Sequence, residues 1–192
     1  MPEELSLNIK NMVCNRCIKV IKEEIEKLGY TVLDISLGEV QISSSTKIDK
    51  GKIKTVLEEN GFELIDDKNS RLIEKTKLTV INIIKDLSEG IASKINFVKV
   101  ITDETHLSYQ YLSTLFSSSE GITIEKYIIL QKIEKVKELL VYDELTLSEI
   151  AYKLDYSSVQ HLSNQFKKVT GLTPSYFKQF KELRRKPIDK VT

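Results

Sequence analysis

The chain has 192 residues, 41% of them hydrophobic, and a formal net charge of +1, which allows two small domains with packed cores. No apolar run approaches the roughly 20 residues that cross a bilayer. The opening segment, MPEELSLNIK, lacks the basic start and apolar core of a signal peptide, so a cytoplasmic protein without a membrane partner is expected.

The N-terminal elements alternate in type. Residues 5–12 (LSLNIKNM) alternate enough to predict a strand. From Cys17 to Leu28 the apolar residues Ile18, Val20, Ile21, Ile25 and Leu28 recur at helical spacing, and Gly29 ends the helix. Two β-rich runs between Tyr30 and Ile42 flank Leu37-Gly38-Glu39, a hairpin signal. A helix follows over about 50–60, with Ile53, Val56 and Leu57 inward and Gly61 as its C-cap. Phe62 to Ile65 closes with a short strand. The order β-α-β-β-α-β is the ferredoxin-like arrangement. We therefore expect an α+β domain over 1–66, then a polar linker over 67–75.

Beyond the linker the pattern is helical throughout, predicting an all-α domain over 76–183 and a basic tail over 184–192. A helix from Leu72 to Leu87 buries Ile73, Val80, Ile81, Ile84 and Leu87, and a second is expected over about 91–100. A segment then repeats itself at an offset of fifty residues. Ser108-x-Gln110-x-Leu112-Ser113-x-x-Phe116, ending at Gly121-x-Thr123, returns as Ser158-x-Gln160-x-Leu162-Ser163-x-x-Phe166, ending at Gly171-x-Thr173. The shared apolar residues lie three to four apart, so each copy reads as an amphipathic helix. A long helix over about 124–142 separates them; at about 1.5 Å per residue it measures about 28 Å, close to the roughly 34 Å of one turn of B-DNA. A short helix over 147–154, opened by the capping box Thr146-x-x-Glu149, and a turn at Asp155 precede the second copy. A closing helix begins at Pro174 and runs to about Leu183. Two matching helices, each behind a shorter helix and a tight turn, suggest two helix-turn-helix units, whose second helix enters a major groove of double-stranded DNA.

Charge follows the same division. Residues 1–74 carry 11 Lys and Arg against 14 Asp and Glu, whereas residues 75–192 carry 18 against 14. The basic excess falls late, at Lys167, Lys168, Lys178, Lys181, Arg184, Arg185 and Lys186; it suits either a solvated surface or a DNA backbone. A balance of about +4 is modest for a DNA binder, so homodimerisation or a second site is expected to raise affinity.

Helical phase then divides the two repeated helices. In the second, Leu162, Phe166 and Val169 point inward, leaving Val159, Gln160, Ser163, Asn164 and Lys167 on or near the outer face. Gln160 and Asn164 are one turn apart, and both side chains pair bidentately with adenine; Lys167 and Lys168 suit phosphates. In the first, Leu112, Leu115 and Phe116 are inward and Tyr109, Gln110, Ser113, Thr114 and Ser117 outward, with no Lys or Arg among them. That face either touches DNA weakly or is simply solvated, so the second helix is expected to dominate base reading. His161 reads as a packing or phosphate-contacting residue.

The run from Leu147 to Phe177 resembles the AraC/XylS family of bacterial transcription regulators. The matching elements are Ile150-Ala151, Tyr156-Ser157, Phe166-Lys167-Lys168, Gly171 and Thr173-Pro174 followed by an aromatic. The resemblance extends back through Lys132–Leu140 and covers roughly residues 76–180. It implies a sequence-specific DNA-binding regulator that needs no cofactor and is not an enzyme. Where that family usually has glycine in the turn, this chain has Asp155, which tolerates a left-handed backbone better than most residues.

Both cysteines, Cys14 and Cys17, fall in one CxxC pair. In a cytosolic chain that spacing reads as a metal or redox site and not as a staple. Met12-Val13-Cys14-Asn15-Arg16-Cys17 resembles the MxCxxC signature of the heavy-metal-associated domain of copper chaperones and metal pumps, with Asn11 where that family usually has glycine. The resemblance implies a soft ion such as Cu(I) held by Cys14 and Cys17. Two thiolates at a helix start suit low coordination but do not fill a four-ligand zinc site. A redox dithiol, and idle thiols on a dimerisation or partner module, are the other readings. Two rivals stand for the whole chain: a metal-trafficking protein whose helical half docks a partner, and a thiol–disulfide enzyme. No motif places a Ser-His-acid set or a carboxylate pair.

Overall fold

The computed structural model describes residues 2–65 and 67–184, with side chains as far as residue 179. The chain divides into two compact units, one of residues 1–79 with 104–107, the other of 80–103 and 108 onward.

In the first unit the order is β1 (Glu3–Lys10), α1 (Asn15–Lys27), β2 (Thr31–Ser36), β3 (Glu39–Ser44), α2 (Lys50–Glu59) and β4 (Glu63–Ile65). The strands form one antiparallel sheet in the order β2-β3-β1-β4. Leu7 lies opposite Val40 and Leu5 opposite Ile42, and strand alternation puts these residues on one face. That face meets Ile21 and Ile25 of α1 and Ile53 and Leu57 of α2, with Met12 closing one end of the core. Each such side chain contributes roughly 1.5–3 kcal/mol on full burial. Asp49 caps α2 by accepting from the backbone N–H groups of Gly51 and Lys52.

The expected linker over 67–75 is helix. α3 runs from Lys68 to Glu89, 22 residues. Its opening is polar yet helical, because Lys, Arg, Leu and Glu are good helix formers. Asp67 starts the helix by accepting from the Ser70 N–H at 2.8 Å, and Ile73 and Glu74 are buried. Two buried threonines, Thr76 and Thr79, return their hydroxyls to the carbonyls of Leu72 and Lys75.

The next helix also differs from expectation. Gly90 takes φ 77° and stops α3. The segment 91–96 is not helical, and α4 covers Phe97–Thr105 in place of 91–100. Asn96 opens it by accepting from the Lys99 N–H at 3.1 Å. Then come α5 (Tyr109–Glu120), α6 (Ile124–Tyr142), α7 (Leu147–Lys153), α8 (Val159–Thr170) and α9 (Pro174–Arg184). Thr146 and Glu149 form the reciprocal capping box at the start of α7.

The basic tail over 184–192, with Arg185 and Lys186, lies outside the described residues except for the backbone of Arg184. The side chains of Lys181 and Arg184 also lie outside them. Among the described residues no helix is long and apolar enough to cross a membrane.

Candidate nucleic-acid interface

The two repeated helices carry the same cap residues at their ends. Ser108 and Ser158 are the N-caps, accepting from the N–H groups of Tyr111 and His161. Gly121 and Gly171 are the C-caps, with φ 69° and 78°; only a residue without Cβ takes this conformation at no cost. Thr123 then accepts from Lys126 N, and Thr173 from Tyr176 N. Phe116 lies against Tyr127 and Phe166 against Phe177, both at 5.5 Å between ring centroids. The fifty-residue offset therefore holds for caps and core contacts together.

The turns before the helices bend through positive φ at His106 (56°) and Asp155 (53°). The left-handed backbone expected of Asp155 is present. The one at His106 carried no sequence signal.

On α8, Leu162 and Phe166 are fully buried. Val159, Gln160, Asn164, Lys167 and Lys168 are exposed and Ser163 half-buried; Val169, expected inward, is half-buried. Gln160 Nε2 donates to Asn164 Oδ1 at 2.8 Å, so the two amides act as a unit. His161 is exposed; its Nδ1 lies 3.0 Å from Ser157 Oγ and its ring edges onto Tyr156. Tyr156 is buried and donates to Gln165 Oε1 at 2.9 Å.

Part of the polar side of α5 is already bonded within the fold. Gln110 and Thr114 are exposed, while Tyr109, Ser113 and Ser117 are half-buried. Thr114 Oγ1 donates to Gln110 O and Ser117 Oγ to Ser113 O. Tyr109 donates its hydroxyl to Glu125 Oε1 at 2.5 Å. Burial first, then this carboxylate, holds the phenol well above its ordinary pKa.

The thiol pair lies in the first unit. Cys14 is the N-cap of α1 and exposed, Cys17 is half-buried, and their Sγ atoms are 3.2 Å apart. Hydrogen bonds from Cys17, backbone first and then side chain, pull the Cys14 thiol below its ordinary pKa, with a smaller contribution from Arg16. Among the described residues no His, Cys, Asp or Glu joins in a group of three or more that could hold a metal ion. The donor set is two sulfurs, which fits a two-coordinate soft ion and not a tetrahedral one. Asn11, ahead of Met12, has φ 70°, a left-handed position that Asn fills better than most residues.

Residues 101–179 match a family described as a helix-turn-helix domain. The F1 operon positive regulatory protein of Yersinia pestis is 31% identical over 102 residues, 53% of this chain and 34% of that protein. The xylose operon regulatory protein of Escherichia coli (strain K12) is 31% identical over 81 residues, 42% of this chain and 21% of that protein. The helical unit contains a helix-turn-helix domain. The C-terminal domain of AraT, a response regulator from Geobacillus stearothermophilus, has the same fold, with a TM-score of 0.50 at 23% identity over 66% of this chain and 94% of that one. The chain spans half or less of the length of the first curated relatives it matches. In this helix-turn-helix domain, α4–α5 and α7–α8 are the two helix-turn-helix units and α6 joins them.

Proposed function

We propose that the chain is a sequence-specific, double-stranded-DNA-binding transcription regulator. The exposed face of α8 carries this reading: two amides one turn apart, Gln160 and Asn164, with Lys167 and Lys168 beyond them. In their mutual bond the amides use Gln160 Nε2 and Asn164 Oδ1. Gln160 Oε1 and Asn164 Nδ2 are then an acceptor and a donor, which match the N6 amino group and N7 of adenine in the major groove. Lys167 and Lys168 take phosphates. α5 enters a neighbouring groove with Tyr109, Gln110, Ser113, Thr114 and Ser117 and contributes mainly shape, since the hydroxyls of Thr114 and Ser117 already serve its own helix and that of Tyr109 serves Glu125. The relatives' printed names, operon regulatory proteins, agree with this role.

The first unit is the input domain. Its element order and β2-β3-β1-β4 sheet support a ferredoxin-like, heavy-metal-associated fold. Cys14 and Cys17 would hold a soft ion such as Cu(I), which supplies a link between two thiolates. A change in metal or thiol state, or self-association of this unit, then alters DNA affinity. DNA binding itself requires no cofactor.

In vitro selection from a random duplex pool, with and without Cu(I), tests both parts. A defined binding sequence is expected. Asn164→Ala should weaken it by about 1–3 kcal/mol, and Cys14→Ser should leave apo binding intact. Loss of binding in Cys14→Ser with no effect of Asn164→Ala would favour the metal-trafficking or thiol-enzyme reading. Equal affinity of apo and Cu(I)-loaded protein removes the proposed regulation.

A further inference from the structure

Within the helix-turn-helix domain α6 is the covalent link between the two helix-turn-helix units. A helix is stiff along its length but does not by itself fix the tilt of what leaves its two ends. Something must tie the units together if both are to meet one duplex in a set geometry.

Lys132 is placed to do so. It is the ninth residue of the 19-residue α6, near its middle. Its Nζ lies 5.4 Å from the ring centroid of Phe97 and 5.1 Å from that of Tyr156, within the roughly 6 Å reach of a cation–π contact. Phe97 is the first residue of α4, in the first unit of the pair. Tyr156 lies in the turn before α8, in the second, and is bonded to Gln165 on α8 itself. One ammonium thus joins α4, α6 and the approach to α8. Burial pulls its pKa below the ordinary lysine value, opposed by the Asp155 carboxylate. A partly desolvated cation is the one for which aromatic faces matter most. The lysine is also foreign to the repeat: fifty residues on stands Glu182. Its role therefore belongs to the spacer and not to either recognition helix.

We infer that Lys132 is a positioning residue that clamps the two helix-turn-helix units at a fixed angle and so makes the protein selective for the spacing between its two DNA half-sites. The inference rests on the DNA-binding reading above. A base pair inserted between the half-sites moves one by about 3.4 Å and about a tenth of a turn. A clamped protein cannot follow that shift without loss; an unclamped one can.

The test uses the full chain and a duplex selected from a random pool, with the segments facing α5 and α8 located by hydroxyl-radical footprinting. A second duplex carries one extra base pair between them. Wild type is expected to bind the second about tenfold more weakly, a penalty equal to about one ordinary mismatch. Lys132→Met, which keeps the bulk and loses the charge, should shrink the penalty to about twofold or less. Lys132→Arg should restore most of it, and Phe97→Leu, a second route to the same loosening, should shrink it again. A merely structural lysine would weaken binding to both duplexes equally, and that result overturns the inference. So does a wild-type protein indifferent to the insertion. Failure of wild type to select any duplex sinks the DNA-binding reading instead, and the two failures are distinguishable.

Discussion

Among single residues, the informative contrast lies between polar groups already committed within the fold and those left on its surface. Tyr109 is committed. Its hydroxyl lies 2.5 Å from Glu125, the acidic residue in the first turn of α6. That donation is the largest cause holding the Glu125 carboxyl below its ordinary value of 4.5. A carboxylate whose folded pKa is depressed contributes stability that is present above the unfolded value and is lost as pH falls through the folded one. Wild type should therefore resist urea better than Glu125→Gln at pH 7, and the difference should fade as the pH drops below the ordinary carboxylate range. The effect is small because the pair is largely exposed. Paired urea titrations at neutral and acidic pH would refute this if the gap widened on acidification. Asn11 and Asp155 teach a related lesson. Each stands where a resembled family has glycine, and each takes positive φ, so both substitutions replace glycine by a residue suited to the left-handed region.

For whole elements, patterning was a good guide where an apolar stripe repeated and a poor one where helices were polar. α5 and α8 were legible because buried Leu112, Phe116, Leu162 and Phe166 recur at helical spacing between Ser and Gly caps. The outward face of α8 followed from the same phase. α3 was not legible at its start, since Lys68–Lys75 looks like a linker until Asp67 is seen to cap it and Glu74 to be buried. α4 was displaced because Gly90 and the exposed Ile91 break the periodicity and Asn96 restarts it. Nor does spacing in one chain reveal that Thr114 and Ser117 return their hydroxyls to carbonyls of α5, or that Lys132 lies near two rings. Proteases cut backbone that is already open or opens locally at low cost. Trypsin under native conditions should nick Lys94, in the non-helical 91–96 segment, well before Arg71 and Lys75 within α3. Mass spectrometry of the first fragments decides this: early cleavage at Arg71 or Lys75 would restore the linker.

On the scale of the molecule, the question is what the uneven charge is for. Lys167 and Lys168 occupy the last turn of α8, where a cation stabilises the helix through its dipole by about 0.3–1 kcal/mol. They also lie beside Gln160 and Asn164 on the exposed face, where phosphates would sit. Both roles predict that Lys167→Ala does harm, but in different observables. A helix-end role lowers the unfolding midpoint and leaves the salt dependence of DNA binding unchanged. A phosphate contact leaves the midpoint within a few tenths of a kcal/mol of wild type and removes about one unit from the slope of log affinity against log salt. It also weakens binding to specific and unrelated duplexes alike, because phosphates carry no sequence. Asn164→Ala should do the reverse, lowering discrimination while keeping the slope. We expect the second pattern for Lys167, measured by titrating labelled duplexes at several salt concentrations alongside thermal unfolding. An unchanged slope with a lowered midpoint would return the basic end of α8 to a purely structural role and leave the α8 amides to carry DNA recognition without it.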